Sequence, residues 1–135
     1  MRVKIVLLIA YIAVLLLITL IFYRGSPYAP IELDPIASYR RAINAPPHLA
    51  RIEIRNAVLN VLMFIPMGLL PPMVWREFRK PLRLILSALA LSFTIELAQL
   101  VAQRGVFAIE DILHNTLGTI FGFLAYKTWE LITNK

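Results

Sequence analysis

The stretch LILSALALSFTIELAQLVAQ, Leu84 to Gln103, decides how this sequence is read. It is 20 residues long and holds one charge, Glu96, between Arg83 and Arg104. About 20 apolar residues in a helix cross roughly 30 Å of hydrocarbon. Three other runs have the same form. Ile5–Tyr23 is uncharged between Lys4 and Arg24. Asn56–Trp75 is uncharged between Arg55 and Arg76. The last runs from Ile112 to about Trp129, with Lys127 as its one charge. Only helices and closed barrels satisfy the backbone in lipid, and these runs are too continuous for alternating barrel strands. The expected fold is all-α: one domain over residues 1–135, a polytopic membrane protein with a bundle of four transmembrane helices at about 5–23, 56–75, 84–103 and 112–129.

Composition agrees. Hydrophobic residues make up 59% and charged ones 16%, and mean hydropathy is +0.73. Soluble domains are nearer half apolar and a quarter charged. With no cysteine, disulfides, thiolate chemistry and Cys-based zinc sites are excluded. Two histidines, His48 and His114, are too few for a His-rich centre, so no metal and no cofactor are expected. No nucleotide-loop, zincin or nucleophile-elbow motif occurs. The net charge of +6 falls between the apolar runs, which points to membrane topology rather than a nucleic-acid partner.

The first run is longer than a signal-peptide core, and Tyr23-Arg24-Gly25 is a poor cleavage site, so it is read as an uncleaved helix. With the N-terminus inside, Arg2, Lys4, Arg76, Arg79, Lys80, Arg83, Lys127 and Lys135 lie inside. Arg24, Arg40, Arg41, Arg51, Arg55 and Arg104 lie outside. The positive-inside rule then puts both termini in the cytoplasm and the chain in the cytoplasmic membrane. Tyr126 and Trp129 suit an interfacial belt beside a snorkelling Lys127. The Arg24–Arg55 connection becomes an extracytoplasmic loop. Asp34-Pro35 resembles an N-cap and N1 pair, so a short helix is expected from there to about Asn44, stopped by Pro46-Pro47. His48–Arg55 is expected to lie along the surface.

Polar residues inside the runs carry the functional argument. An intramembrane acid normally faces protein or water. Ser92, Glu96, Gln99 and Gln103 are spaced four, three and four, which puts them on one helical face. Asp111, Asn115, Gly118 and Gly122 repeat that spacing, and the two glycines allow a close backbone approach. Asn60 precedes Pro66 and Gly68, and Pro66 frees a carbonyl and can kink its helix. At about 1.5 Å per residue, Asn60 and Asn115 lie roughly 6 Å and Glu96 about 10 Å from the same side. All three sets converge on one leaflet. Such groups can equally serve only to tie helices together.

These residues carry a resemblance. Asn60-Val-Leu-Met-Phe64-Ile-Pro66-Met-Gly68, then Glu96-x-x-Gln99, Arg104 and Asp111-x-x-x-Asn115-x-x-Gly118-x-x-x-Gly122 resemble the VanZ-like family of small bacterial membrane proteins, over about Ile5 to Tyr126. The chain departs from the family at Phe107-Ala108-Ile109-Glu110-Asp111, where the family is often more acidic. Its Arg104–Asp111 spacing is one residue longer. The resemblance implies a link with low-level resistance to teicoplanin, a lipoglycopeptide acting at the outer membrane face.

Four functions compete. The first is a module that binds an amphiphile's phosphate or sugar head group, an anionic lipid or lipoglycopeptide. Asn60, Glu96, Gln99, Arg104, Asp111 and Asn115 would be its binding residues, with Arg40, Arg41, Arg51 or Arg55 on a phosphate. The second is an intramembrane enzyme with Glu96 as general acid or base and Asp111 as its partner. The third, a small multidrug transporter, is disfavoured because the first helix carries no acid. The fourth is a structural partner of another membrane protein. Pro66, Gly68, Gly118 and Gly122 are assigned to helix packing.

Overall fold

A computed structural model describes residues 2–22, 31–103 and 105–133. The elements are α1 (Arg2–Leu17), continued by a π-helical turn (Ile18–Phe22), then β1 (Ile31–Glu32), α2 (Ala37–Asn44) and α3 (Pro47–Val74). A 3-10 turn (Arg76–Arg79), α4 (Pro81–Val101), β2 (Phe107–Ala108) and α5 (Ile109–Thr133) follow. Arg24 and Arg104 lie outside the described residues.

The architecture is all-α. Three helices are long and apolar enough to cross a membrane: Arg2–Leu20, mean hydropathy 2.8, and Pro47–Val74 and Pro81–Val101, each 1.9. The fourth expected span, α5, has 25 residues and ample length but is not among them. Its composition explains this. Glu110, Asp111, His114 and Asn115 fill its first turns, and its glycines and threonines add little hydropathy. Most of those groups are inside: Glu110, His114, Asn115, Gly118, Thr119 and Gly122 are buried.

Prolines punctuate the helices where a missing N–H costs least. Pro47 and Pro81 occupy first-turn positions of α3 and α4. Pro66, Pro71 and Pro72 lie within α3, yet it runs unbroken through 28 residues. At about 42 Å it exceeds the hydrocarbon by roughly 12 Å. His48–Arg55 therefore forms the first two turns of α3 rather than a separate surface stretch. The short helix before it starts later than expected. Asp34 does not cap it; its Oδ1 accepts the Ile36 N–H at 3.1 Å, an Asx turn, and α2 begins at Ala37. It ends at Asn44, ahead of Pro46-Pro47.

The most extensive helix pair is α3 with α5. Here the glycines matter. A Cβ on Gly118 would strike the Val61 carbonyl oxygen, one on Gly122 that of Ile65, and one on Gly68 that of Thr119. The two backbones are in contact, as the small-residue spacing implies. On the other side, Leu15, Phe64, Met67, Ala88 and Ile95 form an apolar cluster from α1, α3 and α4. The Tyr11 hydroxyl donates to the Met63 carbonyl at 3.0 Å.

Charge and polarity are inverted relative to a soluble protein. Leu7, Val14, Leu62, Leu86, Phe93 and Leu124 are exposed, whereas Asn60, Ser92, Glu96, Gln99, Glu110 and Asn115 are buried. At the far end, Tyr126 is 1% exposed and so is not a belt residue. Its hydroxyl donates to Glu130 at 2.6 Å, and Glu130 also takes Lys127 at 2.8 Å. Trp129 is exposed, with the Lys4 ammonium 5.5 Å from its ring centroid.

Candidate functional site

Glu96 sits on α4 with its carboxylate inside the bundle, 3% exposed. Its Oε2 accepts the Ala108 N–H at 2.9 Å, just before α5 begins. One turn on, Gln99 Nε2 donates 2.7 Å to the Thr19 carbonyl in the π turn. One turn back, Ser92 Oγ accepts Asn115 Nδ2 at 2.7 Å. The four-three spacing thus aims three successive polar side chains of α4 at three different segments. The Gln99 and Ser92 bonds join helices, as expected of polar groups buried in a membrane protein, and the Glu96 bond ties α4 to β2.

These groups also line a common cavity of about 30 Å³, bounded by Asn60, Glu96, Gln99, Asp111, Asn115 and Thr19 and walled by Phe64 and Ile95. A buried water needs roughly 10–15 Å³ on this measure, so there is room for about two. Among the described residues three buried side-chain atoms have no partner: Gln99 Oε1 and Asn115 Oδ1 at the cavity, and His114 Nδ1 away from it. The Gln99 assignment is fixed by chemistry: only its amide nitrogen can face the Thr19 carbonyl, which leaves the oxygen over. Buried acceptors left unpaired cost about 1–3 kcal/mol each.

Of the sequence-derived binding residues, Asn60, Glu96, Gln99, Asp111 and Asn115 meet at this cavity. Arg104 lies outside the described residues. Gln103 leaves the set, because α4 ends at Val101 and Gln103 turns into the left-handed region at φ 53°. His114 points away from the cavity, and its Nε2 lies 2.8 Å from the Tyr39 hydroxyl on the other side of α5.

Sequence reasoning missed three contributors. Thr19 is the sole Ser or Thr in the Ile5–Tyr23 run, a signal that was there to use. Ala108 acts through its backbone, which no side chain announces. Glu110, 3% exposed, accepts the Ser38 N–H at 2.8 Å and the Ser38 hydroxyl at 2.6 Å, holding the first turn of α2 against α5. An acid there complements the helix N-terminus.

The loop arginines divide. Arg40 pairs with Asp34 at 3.0 Å. Arg41 pairs with Glu32 at 3.3 Å and Glu53 at 3.2 Å. Burial opposes the Arg41 charge, but Glu53, with Glu32 and Glu110 behind it, holds the guanidinium above its ordinary value. Arg51 and Arg55 have no carboxylate partner among the described residues. No group of three or more metal-ligating residues occurs among the described residues.

Residues 8–131 match the family model described as VanZ/LLP1. The chain is also 34% identical over 93 residues to Protein VanZ of Enterococcus faecium, a stretch covering 69% of this chain and 55% of that protein. The chain therefore spans about half the length of that relative. No solved structure matches.

Proposed function

The chain belongs to the VanZ/LLP1 family, and from that premise we propose that it holds the hydrogen-bonding head of an amphiphilic cell-envelope molecule in the polar cavity between its helices. The observation carrying this reading is the unpartnered buried acceptor Gln99 Oε1, with the unpaired end of the Asn115 amide and the Glu96 carboxylate beside it. Surplus acceptors select donors, so the matching head group bears hydroxyls or amines, as glycans and aminated sugars do. The family's link with teicoplanin, an acylated glycopeptide, is consistent with that class.

In this reading α5 is the fourth crossing, its polar face turned inward, and both termini are cytoplasmic. The cavity then opens toward the outer leaflet. Its volume admits only the end of a head group, so a larger one enters by displacing α1. Near the cavity α1 is tied to α4 through the Gln99–Thr19 bond.

The test is mass-spectrometric identification of lipids co-purifying in mild detergent with wild type and with the Glu96→Gln/Asp111→Asn variant. Gln at 96 can still accept the Ala108 N–H, and far-UV circular dichroism checks that the variant is folded. A hydroxyl-bearing glycolipid enriched in wild type and lost in the variant is expected. Equal, unselective lipid in both would refute the cavity as a head-group site and favour helix joining with a protein partner.

A further inference from the structure

The α3–α5 pair has a second face, pointing away from the cavity. It carries an apolar groove of about 190 Å³ between Ile54, Val58, Leu62, Leu117 and Phe121. Tyr39 and His114 close one end, with the Tyr39 hydroxyl 2.8 Å from His114 Nε2 and His114 Nδ1 without a partner among the described residues. Val58 and Leu62 are 50% and 53% exposed, so the groove faces the surroundings of the bundle. Along α3, Arg51, Arg55, Val58 and Leu62 are spaced four, three and four and form one stripe. A cationic pair therefore stands directly above the apolar groove. Arg55 is about 10 Å from Leu62 along the axis, the reach of an acyl chain below its phosphate.

We propose that this face is a binding site for one anionic glycerophospholipid, with its phosphate on Arg51 and Arg55 and one acyl chain in the groove. The assignment is independent of the cavity reading, since it uses the opposite faces of α3 and α5. Charge complementarity selects the occupant. Arg40 and Arg41 are neutralised by Asp34, Glu32 and Glu53, whereas Arg51 and Arg55 meet no acid among the described residues. A second copy of this chain supplies no free acid here. Glu53 is taken by Arg41, and Glu110 by Ser38. Arginine binds phosphate through paired, charge-assisted hydrogen bonds. The exposed Ile36, just before α2, and Tyr39 and Ile43 within it, spaced three and four, set a further apolar strip beside the site, suited to the interfacial layer.

The experiment uses the full chain in phosphatidylcholine nanodiscs containing phosphatidylglycerol, with retained lipids counted by native mass spectrometry. Wild type is expected to retain one phosphatidylglycerol about 30-fold over phosphatidylcholine, from the attraction of two arginines. Arg51→Gln/Arg55→Gln should bring the two lipids to parity. Val58→Trp, which fills the groove with both arginines intact, should also lose the retained lipid. Arg76→Gln/Lys80→Gln, at the other end of the bundle, should leave the preference unchanged. Equal retention by wild type, an unaffected Arg51/Arg55 or Val58 variant, or loss in the Arg76/Lys80 variant would each overturn the assignment.

Discussion

Gly122→Ala adds one methyl group where α3 and α5 touch. Its Cβ would strike the Ile65 carbonyl oxygen and come within 2.9 Å of the Ile65 carbonyl carbon and of Gly68 Cα. All three are backbone atoms, so no side chain can rotate aside and the helices must part. Overpacking of this kind costs about 1–3 kcal/mol, and unyielding neighbours put it at the upper end. The better helix propensity of alanine returns at most about 1 kcal/mol. The net, about 2 kcal/mol, is roughly a 30-fold fall in the folded-to-unfolded ratio. The assay is reversible titration from mild detergent into dodecyl sulfate, followed by far-UV circular dichroism and by Trp75 and Trp129 fluorescence. Leu124→Ala, on the exposed face of α5, is the control and should stay within about 0.5 kcal/mol. Gly118→Ala/Gly122→Ala should cost less than the two single changes together, because the first methyl already separates the backbones. If Gly122→Ala unfolds with the control, the close approach of α3 and α5 is wrong.

Ser92→Ala should destabilise the same transition by about 1 kcal/mol, and a double-mutant cycle with Asn115→Leu should return a coupling of roughly 0.6–1.7 kcal/mol; a coupling near zero would show that the 2.7 Å bond does not form. Glu110→Ala removes both bonds to Ser38. Hydrogen exchange at residues 37–44 should then accelerate tenfold or more, from about 1.5–3 kcal/mol for bonds to a charged group; unchanged protection would mean that α2 is held by other contacts. Reporters fused at the two termini should report the same, cytoplasmic side. Opposite sides would exclude an even number of crossings, and with it α5 as the fourth.

Helical phase is local information, and it explains how much of the site was legible in the sequence. Spacings of four and three placed Ser92, Glu96 and Gln99 on one face of α4, and Asp111, Asn115, Gly118 and Gly122 on one face of α5. The cavity and the glycine contact both use those faces. What escaped depends on chain ends and backbone. Gln103 fell out because α4 stops two residues earlier, and a helix end is set by its last hydrogen bonds rather than by periodicity. The start of α3 was misplaced by nine residues, since Arg51, Glu53 and Arg55 look like loop in a span scan but belong to the same helix. The π turn that brings Thr19 to the cavity has no composition of its own. The low hydropathy of α5 shows the limit of counting: its polar residues and glycines lie on the face buried against the other helices, while Leu113, Leu117, Phe121 and Leu124 are exposed, and an average over the helix merges the two faces.

Ala108 is where two systems meet. It pairs with Glu32 in the two-residue parallel ladder, and its N–H is the partner of Glu96 within the bundle. Two residues on, Glu110 grips Ser38. The roof formed by residues 31–44 is thus bolted to the helix bundle through Phe107, Ala108 and Glu110. Modules joined in this way do not exchange freely. A chimaera carrying another member's first loop on these helices would import a new register at Ala108 and reshape the surroundings of Glu96 without altering a single transmembrane residue. Loop and cavity are therefore coupled through Ala108, and grafts should move both segments together.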